Sequence, residues 1–136
     1  MIINITEWAT DSYFDLVVSQ NPKISKVDYE NKIRPNVELL LSENTVPLKN
    51  SKFKNSKFWG PAESMTLLIK NGYKMKWHNF GDGNFQLRLC IAIIQNEAYL
   101  CRAYIKNDKT ERREMARFKV HVQQILNNKV RIRGQL

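Results

Sequence analysis

The sequence has little glycine and histidine, and each shortage excludes a class of protein. Its five glycines form no P-loop and no dinucleotide-binding fingerprint, and no nucleophile elbow is present. The two histidines, His78 and His121, have no metal-ligand spacing to each other or to the two cysteines. We therefore expect neither a metal site nor a cofactor.

Cysteine is also scarce, and long apolar runs are absent. Cys90 and Cys101 are typical of small apolar side chains in a reducing compartment. No run of about 18 apolar residues is present, so we expect no membrane span. The first residues, Met1 to Ile5, lack the basic stretch and cleavage site of a secretory signal. These features predict a cytoplasmic protein without membrane association.

Acidic residues are few in the C-terminal two thirds of the chain. Residues 1–48 hold four Lys/Arg and seven Asp/Glu, whereas residues 49–136 hold eighteen and six. This asymmetry favours a polyanionic partner, nucleic acid first and an anionic membrane as a distant second. The alternative is that the charge only keeps the protein soluble. The length of 136 residues, 43% of them hydrophobic, predicts one domain over 1–136.

The N-terminal part, about residues 5–42, predicts a pair of helices. Apolar residues recur at helical spacing from Trp8 to Val17, which predicts an amphipathic helix over 5–19. A second helix is expected after Ser25, kinked or split by Pro35 because proline lacks an N–H. We expect this pair to lie on the apolar face of a sheet.

A basic loop is predicted over residues 43–61, followed by a short helix over 62–71. The loop repeats lysine and phenylalanine in a short tandem, and its lysines suit RNA phosphates. They are Lys52, Lys54 and Lys57. Phe53, Phe58 and Trp59 can stack on bases or anchor the loop to the core.

Residues 74–106 predict a three-stranded antiparallel sheet with one apolar and one polar face. Apolar residues alternate in 85–91 (FQLRLCI), which is typical of a pleated strand. The next strand, by the same alternation, should place its side chains Tyr99, Cys101, Ala103 and Ile105 on one face. Cys90 and Cys101 then face opposite sides, so we expect no disulfide. A turn at residues 81–83 (GDG) should join the first two strands and pair Phe80 with Asn84.

This register places cationic side chains in a row across the polar face. Lys76 lies opposite Arg88, and Arg88 lies opposite Tyr104. The neighbours of this row are His78, Arg102 and Lys106. No carboxylate is expected in the row, so the repulsion between its cations favours a bound anion. The alternative is an ordinary solvated face, which is common in antiparallel sheets.

A basic helix is predicted over about 110–127. Met115, Phe118, Val122, Ile125 and Leu126 form its apolar stripe. Its outer cations, which we expect to bind RNA, are Lys109, Arg112, Arg113 and Arg117. The predicted fold is therefore α+β, with an N-terminal helix pair packed on a small antiparallel sheet and a C-terminal basic helix after it.

Three segments of the sequence, and the order of the predicted helices and strands, resemble a known family. Residues 85–89 (FQLRL), 98–106 (AYLCRAYIK) and 109–116 (KTERREMA) resemble the C-terminal half of RelE/HigB-type toxins. In that family an E-L-R strand leads to a strand that ends in lysines, and a T-x-x-x-E helix follows. Here Arg88 matches the strand arginine, and Lys106 matches the first of the lysines, whereas Asn107 replaces the second.

The resemblance implies a metal-independent, ribosome-dependent mRNA endonuclease that is inhibited by a cognate antitoxin. In the family, a base or an electrostatic group helps the ribose 2′-hydroxyl attack the adjacent phosphate. Cations stabilise the added negative charge, and an acid assists the leaving 5′-oxygen. On this sequence, Arg88 and Lys76 would hold the phosphate with Lys106 beside them. His78 is the candidate general acid or base, and Tyr104 would position the RNA or donate a proton to it.

Other readings of the same residues stay open at this point. A non-catalytic RNA- or DNA-binding module would use the same basic face and show salt-sensitive binding without cleavage. A ParE-like gyrase inhibitor would need no catalytic row. A structural or interaction protein would need no RNA site at all.

Overall fold

The structure, a computed structural model, describes residues 1–15, 24–80 and 84–136, and its main feature is a six-stranded mixed sheet. The strands are β1 (Ile3–Thr6), β2 (Trp59–Ser64), β3 (Leu67–Phe80), β4 (Phe85–Ile94), β5 (Glu97–Ile105) and β6 (Ile132–Gln135). They lie in the order β2-β3-β4-β5-β1-β6, with β1 parallel to β5 and the other neighbours antiparallel. The predicted fold class is therefore wrong, because the sheet has twice the expected number of strands and is not purely antiparallel.

Among the residues that the structure describes, the helical elements are short except for the last. They are α1 (Glu7–Thr10), α2 (Lys26–Asp28), a π-helical turn (Tyr29–Ile33), α3 (Arg34–Glu38), two 3₁₀ turns (Leu39–Ser42 and Ser51–Lys54) and α4 (Asp108–Leu126). None of the helices in the described part of the chain combines the length and apolar character needed to cross a membrane.

The predicted N-terminal helix pair is not observed in the described residues. The first residues form β1 instead, because Ile3 is fully buried beside β5 and pairs with Ala98. Leu16 and Val17 of the predicted first helix lie outside the described residues. The second segment changes helix type repeatedly around Pro35, which stands in the first turn of α3, since proline removes an N–H from the hydrogen-bond ladder.

The central register agrees with the sequence prediction. Lys76 pairs with Arg88, and Arg88 pairs with Tyr104. The predicted pairing of Phe80 with Asn84 is wrong, because Phe80 pairs with Phe85 after a register shift that follows Trp77. The predicted turn at residues 81–83 lies outside the described residues.

A bulge in β5 changes which side chains share a face. Cys90 pairs with Arg102, but its neighbour Ile91 pairs with Leu100, so Cys101 is the extra residue. A bulge of this kind shifts the alternation of every residue beyond it. The predicted faces of the first half of β5 are therefore wrong, and Cys90 and Cys101 lie in the same buried cluster. Both thiols are free.

Both faces of the sheet are buried, which corrects the expectation of one apolar and one polar face. The N-terminal segments cover one face, where Leu89 and Ile91 pack with Ile33 and Leu40. Helix α4 covers the other face through Met115, Phe118, Val122 and Ile125. Gly72 permits this approach, since a Cβ there would lie 2.9 Å from Cε2 of Phe118.

The predicted C-terminal helix is confirmed, with its start at Asp108 and its N-cap at Asn107, whose side chain accepts a hydrogen bond from the Thr110 N–H. Leu126 is exposed and is not part of the core stripe. The helix predicted over 62–71 is wrong, because those residues form the β2–β3 hairpin. Positive φ angles at Met65 and Thr66 end β2 in a turn rather than a helix.

Candidate phosphate-binding site

Lys76, Arg88 and Tyr104 form a continuous row across three strands, on the face that α4 covers. Lys76 and Arg88 come from β3 and β4, and Tyr104 comes from β5. Tyr104 belongs to the apolar cluster beneath the helix. Helix α4 therefore covers part of the row, which does not lie on an open solvated face. We call these three residues the cationic row.

Arg88 is the most deeply buried cation of the row. Its side chain is 5% exposed, and Nη1 donates hydrogen bonds to the carbonyl oxygens of Leu87 at 3.1 Å and Trp77 at 3.4 Å. Burial lowers the pKa of this guanidinium, an effect that the nearby Glu111 and Tyr104 oppose. In the described residues Arg88 forms no ion pair. A buried cation with only carbonyl partners favours the entry of an anion.

Lys76 lies in the same positive field. Its Nζ donates to the carbonyl oxygen of Ser56 at 3.0 Å. Burial lowers the pKa of the Lys76 ammonium, and the charges of Lys74, Arg88 and Lys106 lower this pKa further. Like charges that depress one another's pKa in this way are stabilised together when a phosphate binds among them.

A carboxylate, Glu111 of α4, reaches the edge of the row, contrary to the sequence prediction. Its Oε1 accepts from Nζ of Lys74 at 2.7 Å, and its Oε2 accepts from the Tyr104 hydroxyl at 2.6 Å. Burial alone would raise the pKa of Glu111, but the hydrogen bonds from Lys74 and Tyr104 outweigh it and lower this pKa. Glu111 is therefore ionised at neutral pH, and in the described residues it forms an ion pair with Lys74 but none with Lys76 or Arg88.

Tyr104 is held by this contact and by burial. Burial raises the pKa of its phenol, and so do the nearby Cys90 and the hydrogen bond to Glu111. The hydroxyl therefore stays protonated at neutral pH and acts as a hydrogen-bond donor. This state suits the positioning role predicted from sequence better than ready proton release.

His78 is exposed at the outer end of the row. Its Nδ1 lies 2.7 Å from Oε1 of Gln86, and its Nε2 lies 2.6 Å from the carbonyl oxygen of Lys57. Both partners are amide oxygens, which only accept hydrogen bonds. The two contacts together therefore need a proton on each ring nitrogen, unless the Gln86 amide is reversed so that its NH₂ group donates to Nδ1. The predicted acid or base is thus close to the row but already has two hydrogen-bond partners.

An open groove of about 400 Å³ lies between the first turn of α4 and the β2–β3 turn, and Glu111, which accepts from Tyr104, is part of its lining. Its lining comes from the turn, from β3, from the end of β5 and from α4: Glu63, Met65, Thr66, Lys74, Lys106, Asp108, Glu111, Arg112 and Met115. Lys106 is exposed in it, and its backbone N–H is fixed by the carbonyl oxygen of Gln86 at 2.7 Å. We call this space the α4 groove.

Arg102, which was predicted to lie beside the row and to bind RNA, forms an ion pair with Glu114 of α4. Its Nε and Nη2 donate to the carboxylate of Glu114 at 2.6 and 3.2 Å. Glu114 is buried and also contacts Arg117 at 3.4 Å. Arg102 therefore holds α4 on the sheet, Arg117 adds a second contact to Glu114 from within the helix, and Arg102 is not a free cation beside the row.

The remaining predicted RNA-binding residues are dispersed. Lys109 and Arg113 are exposed on α4, and Arg112 lines the groove. In the loop, Lys54 and Lys57 are exposed. Lys52 donates to Oδ1 of Asn36 at 2.6 Å, and its Nζ lies 4.8 Å from the ring centre of Phe58.

The loop aromatics are buried and pack against one another. Phe53 contacts both Phe58 and Trp59, with ring centres 5.8 and 5.0 Å apart. The reading of these side chains as anchors of the loop is confirmed, because side chains buried to this degree are not free to stack on bases.

Comparisons with known proteins add no relative. No protein-family model, no curated protein and no solved structure matches the chain. The resemblance to RelE/HigB-type toxins accordingly stays a prediction. Within residues 1–15, 24–80 and 84–136, no three His, Cys, Asp or Glu side chains are grouped so that they could hold a metal ion.

Proposed function

We propose that this chain is a cytoplasmic RNA-binding toxin that cuts mRNA on the ribosome without a metal and is neutralised by a cognate antitoxin. The observation that carries the proposal is the buried guanidinium of Arg88, which lies beside Lys76 and has only carbonyl partners. Pre-placed cations of this kind stabilise negative charge that develops in a transition state.

The proposed chemistry is transfer of the phosphoryl group within the RNA. The ribose 2′-oxygen loses its proton and bonds to the adjacent phosphorus, and the bond from phosphorus to the 5′-oxygen breaks. The products are a 2′,3′-cyclic phosphate and a free 5′-hydroxyl, which takes up one proton. Arg88 and Lys76 stabilise the extra charge on the phosphate, with Lys106 at the mouth of the α4 groove. His78 is the residue proposed to move a proton.

The test is inducible expression followed by mapping of RNA 5′ ends during growth arrest. Cleavage within translated messages supports the proposal, and Arg88→Ala should abolish both cleavage and arrest. Because Arg88 is buried, the test also needs Arg88→Met, which keeps the aliphatic packing. Its circular dichroism spectrum is compared with that of the wild type to establish that it is folded. Lys119→Ala removes an exposed cation of α4 that is not among the candidate RNA-binding residues, and it serves as the matched control. Arrest by a folded Arg88→Met protein would contradict the proposed centre.

A second candidate is a non-catalytic RNA-binding module, and one observation favours it. The Tyr104 hydroxyl is bound to Glu111, and both ring nitrogens of His78 have partners, so neither group is free to transfer a proton before RNA binds. This candidate predicts salt-sensitive RNA binding with unchanged RNA 5′ ends. Binding by purified protein without cleavage on translating ribosomes would favour it.

A further inference from the structure

The turn between β2 and β3 has an unfavourable backbone for its sequence. Ser64 pairs with Leu67, so Met65 and Thr66 form a two-residue turn, with φ angles of 50° and 68°. Turns of this type normally use Asn, Asp or Gly, which tolerate a positive φ. A β-branched threonine is strongly disfavoured there. Strain of this kind persists where it serves a function.

The same turn displays apolar side chains to solvent. Met65 is 85% exposed, and Leu67 and Leu68 are 68% and 67% exposed. Apolar surface left in water contributes nothing to folding, and a contiguous exposed patch marks a binding surface. Neither the strain nor the exposure is explained by the stability of this hairpin.

The α4 groove lies against this turn and differs in charge from the cationic row. Three cations line it, Lys74, Lys106 and Arg112. Three carboxylates balance them and are contributed by Glu63, Asp108 and Glu111. A neutral space with donors, acceptors and the thioethers of two methionines suits a flat heterocycle better than a phosphate.

We propose that the α4 groove binds one nucleobase of single-stranded RNA, with Met65 against the face of the base. The inference rests on the proposed RNA-binding function, and it places the adjoining phosphate on Lys76 and Arg88. Carboxylates accept hydrogen bonds from amino groups. Guanine, adenine and cytosine carry such groups and uracil does not, so the groove favours an amino-bearing base over uracil.

The test uses a variant that improves the fold while it removes the contact. Met65→Asn with Thr66→Gly gives the turn its preferred residues, so the free energy of unfolding should rise. The probes are a short fluorescent oligocytidine, an oligouridine of the same length, and an abasic oligoribose phosphate. The wild-type protein should bind the oligocytidine more tightly than either of the others.

In the double variant, the affinity for oligocytidine should fall by about fivefold, as expected when one methionine contact is lost, while binding of the abasic oligomer stays unchanged. Val120→Ser, which removes an exposed apolar side chain outside the groove, should leave all three affinities unchanged. Equal binding of abasic and base-carrying oligomers by the wild type would overturn the subsite and leave the phosphate site standing. Unchanged oligocytidine affinity in the more stable variant would overturn it too. Absence of binding to every oligomer would overturn both the subsite and RNA binding by the isolated protein.

Discussion

The clearest quantitative prediction concerns Arg102, which the sequence assigned to RNA and the structure assigns to the fold. Its guanidinium makes a two-point contact with Glu114 at 2.6 and 3.2 Å, and Glu114 is 3% exposed. In Arg102→Met the carboxylate stays buried, with Arg117 at 3.4 Å as its remaining ion-pair partner. Removing one member of a buried pair costs about 3–5 kcal/mol, and we expect the lower end because Arg117 remains.

The assay is urea denaturation followed by tryptophan fluorescence. With a slope of about 1.5 kcal/mol per molar urea, the midpoint should move down by about 2 M. Arg113→Met, which removes an exposed cation of the same helix, should change stability by less than about 0.5 kcal/mol. The double variant Arg102→Met with Glu114→Met should recover most of the loss, because no charge is then left buried without a partner.

The result that would refute this reasoning is specific. If Arg102→Met unfolds at the wild-type urea concentration but binds RNA more weakly, Arg102 is an RNA contact and the ion pair with Glu114 contributes little. If the variant is destabilised and its folded fraction binds RNA normally, Arg102 serves to hold α4 on the sheet.

Two further predictions concern pH and salt. Burial, with the charges of Arg102 and Arg117, lowers the pKa of His121 from 6.5 to about 4, so the unfolded chain binds more protons between these values and stability should fall as the pH drops through that window. His121→Phe keeps an aromatic ring against Trp8, which stacks on His121 with ring centres 4.0 Å apart. In this variant the urea midpoint should depend less on pH. If the midpoint depends on pH as strongly as in the wild type, another group causes the effect. Lys106→Ala should lower the slope of log affinity against log salt for RNA by about 1 if Lys106 contacts a phosphate, and an identical slope would exclude that contact.

The register at the centre of the sheet could be predicted because it depends on the alternation of residues within short, neighbouring segments. Alternation in β4 and β5 fixes which residues face each other, and the pairs of Arg88 with Lys76 and with Tyr104 follow from it. The bulge at Cys101 could not be predicted in this way, because two cysteines and an arginine fit either face by size. Its effect is to turn Leu100 to the face of Ala103, where Leu100 is buried in the same apolar cluster as Ile91.

The N-terminal part and Glu111 depend on contacts between distant residues, which alternation does not report. The predicted first helix began at residue 5, but Ile5 and Thr6 belong to β1, whose pairing with β5 joins residues more than ninety positions apart. In the sequence, Glu111 stands out only as part of the segment 109–116, which resembles the helix of the toxin family. Its place in the first turn of α4, a few residues after Tyr104 and Lys106, was the available signal, since a helix that folds back on β5 brings its first turn over the end of that strand.

The distribution of carboxylates on α4 explains why the cationic row remains positive. Two carboxylates of the helix form ion pairs with the sheet: Glu114 pairs with Arg102, and Glu111 pairs with Lys74. In the described part of the chain, no ion pair reaches the three other cations on this side of the sheet, Lys76, Arg88 and Lys106. Because the two carboxylates pair with Arg102 and Lys74, Lys76 and Arg88 lie close together beside the α4 groove without an ion-pair partner among the described residues. Such a concentration of positive charge is costly when empty and is relieved by a phosphate diester, which is the physical basis for placing the RNA backbone there.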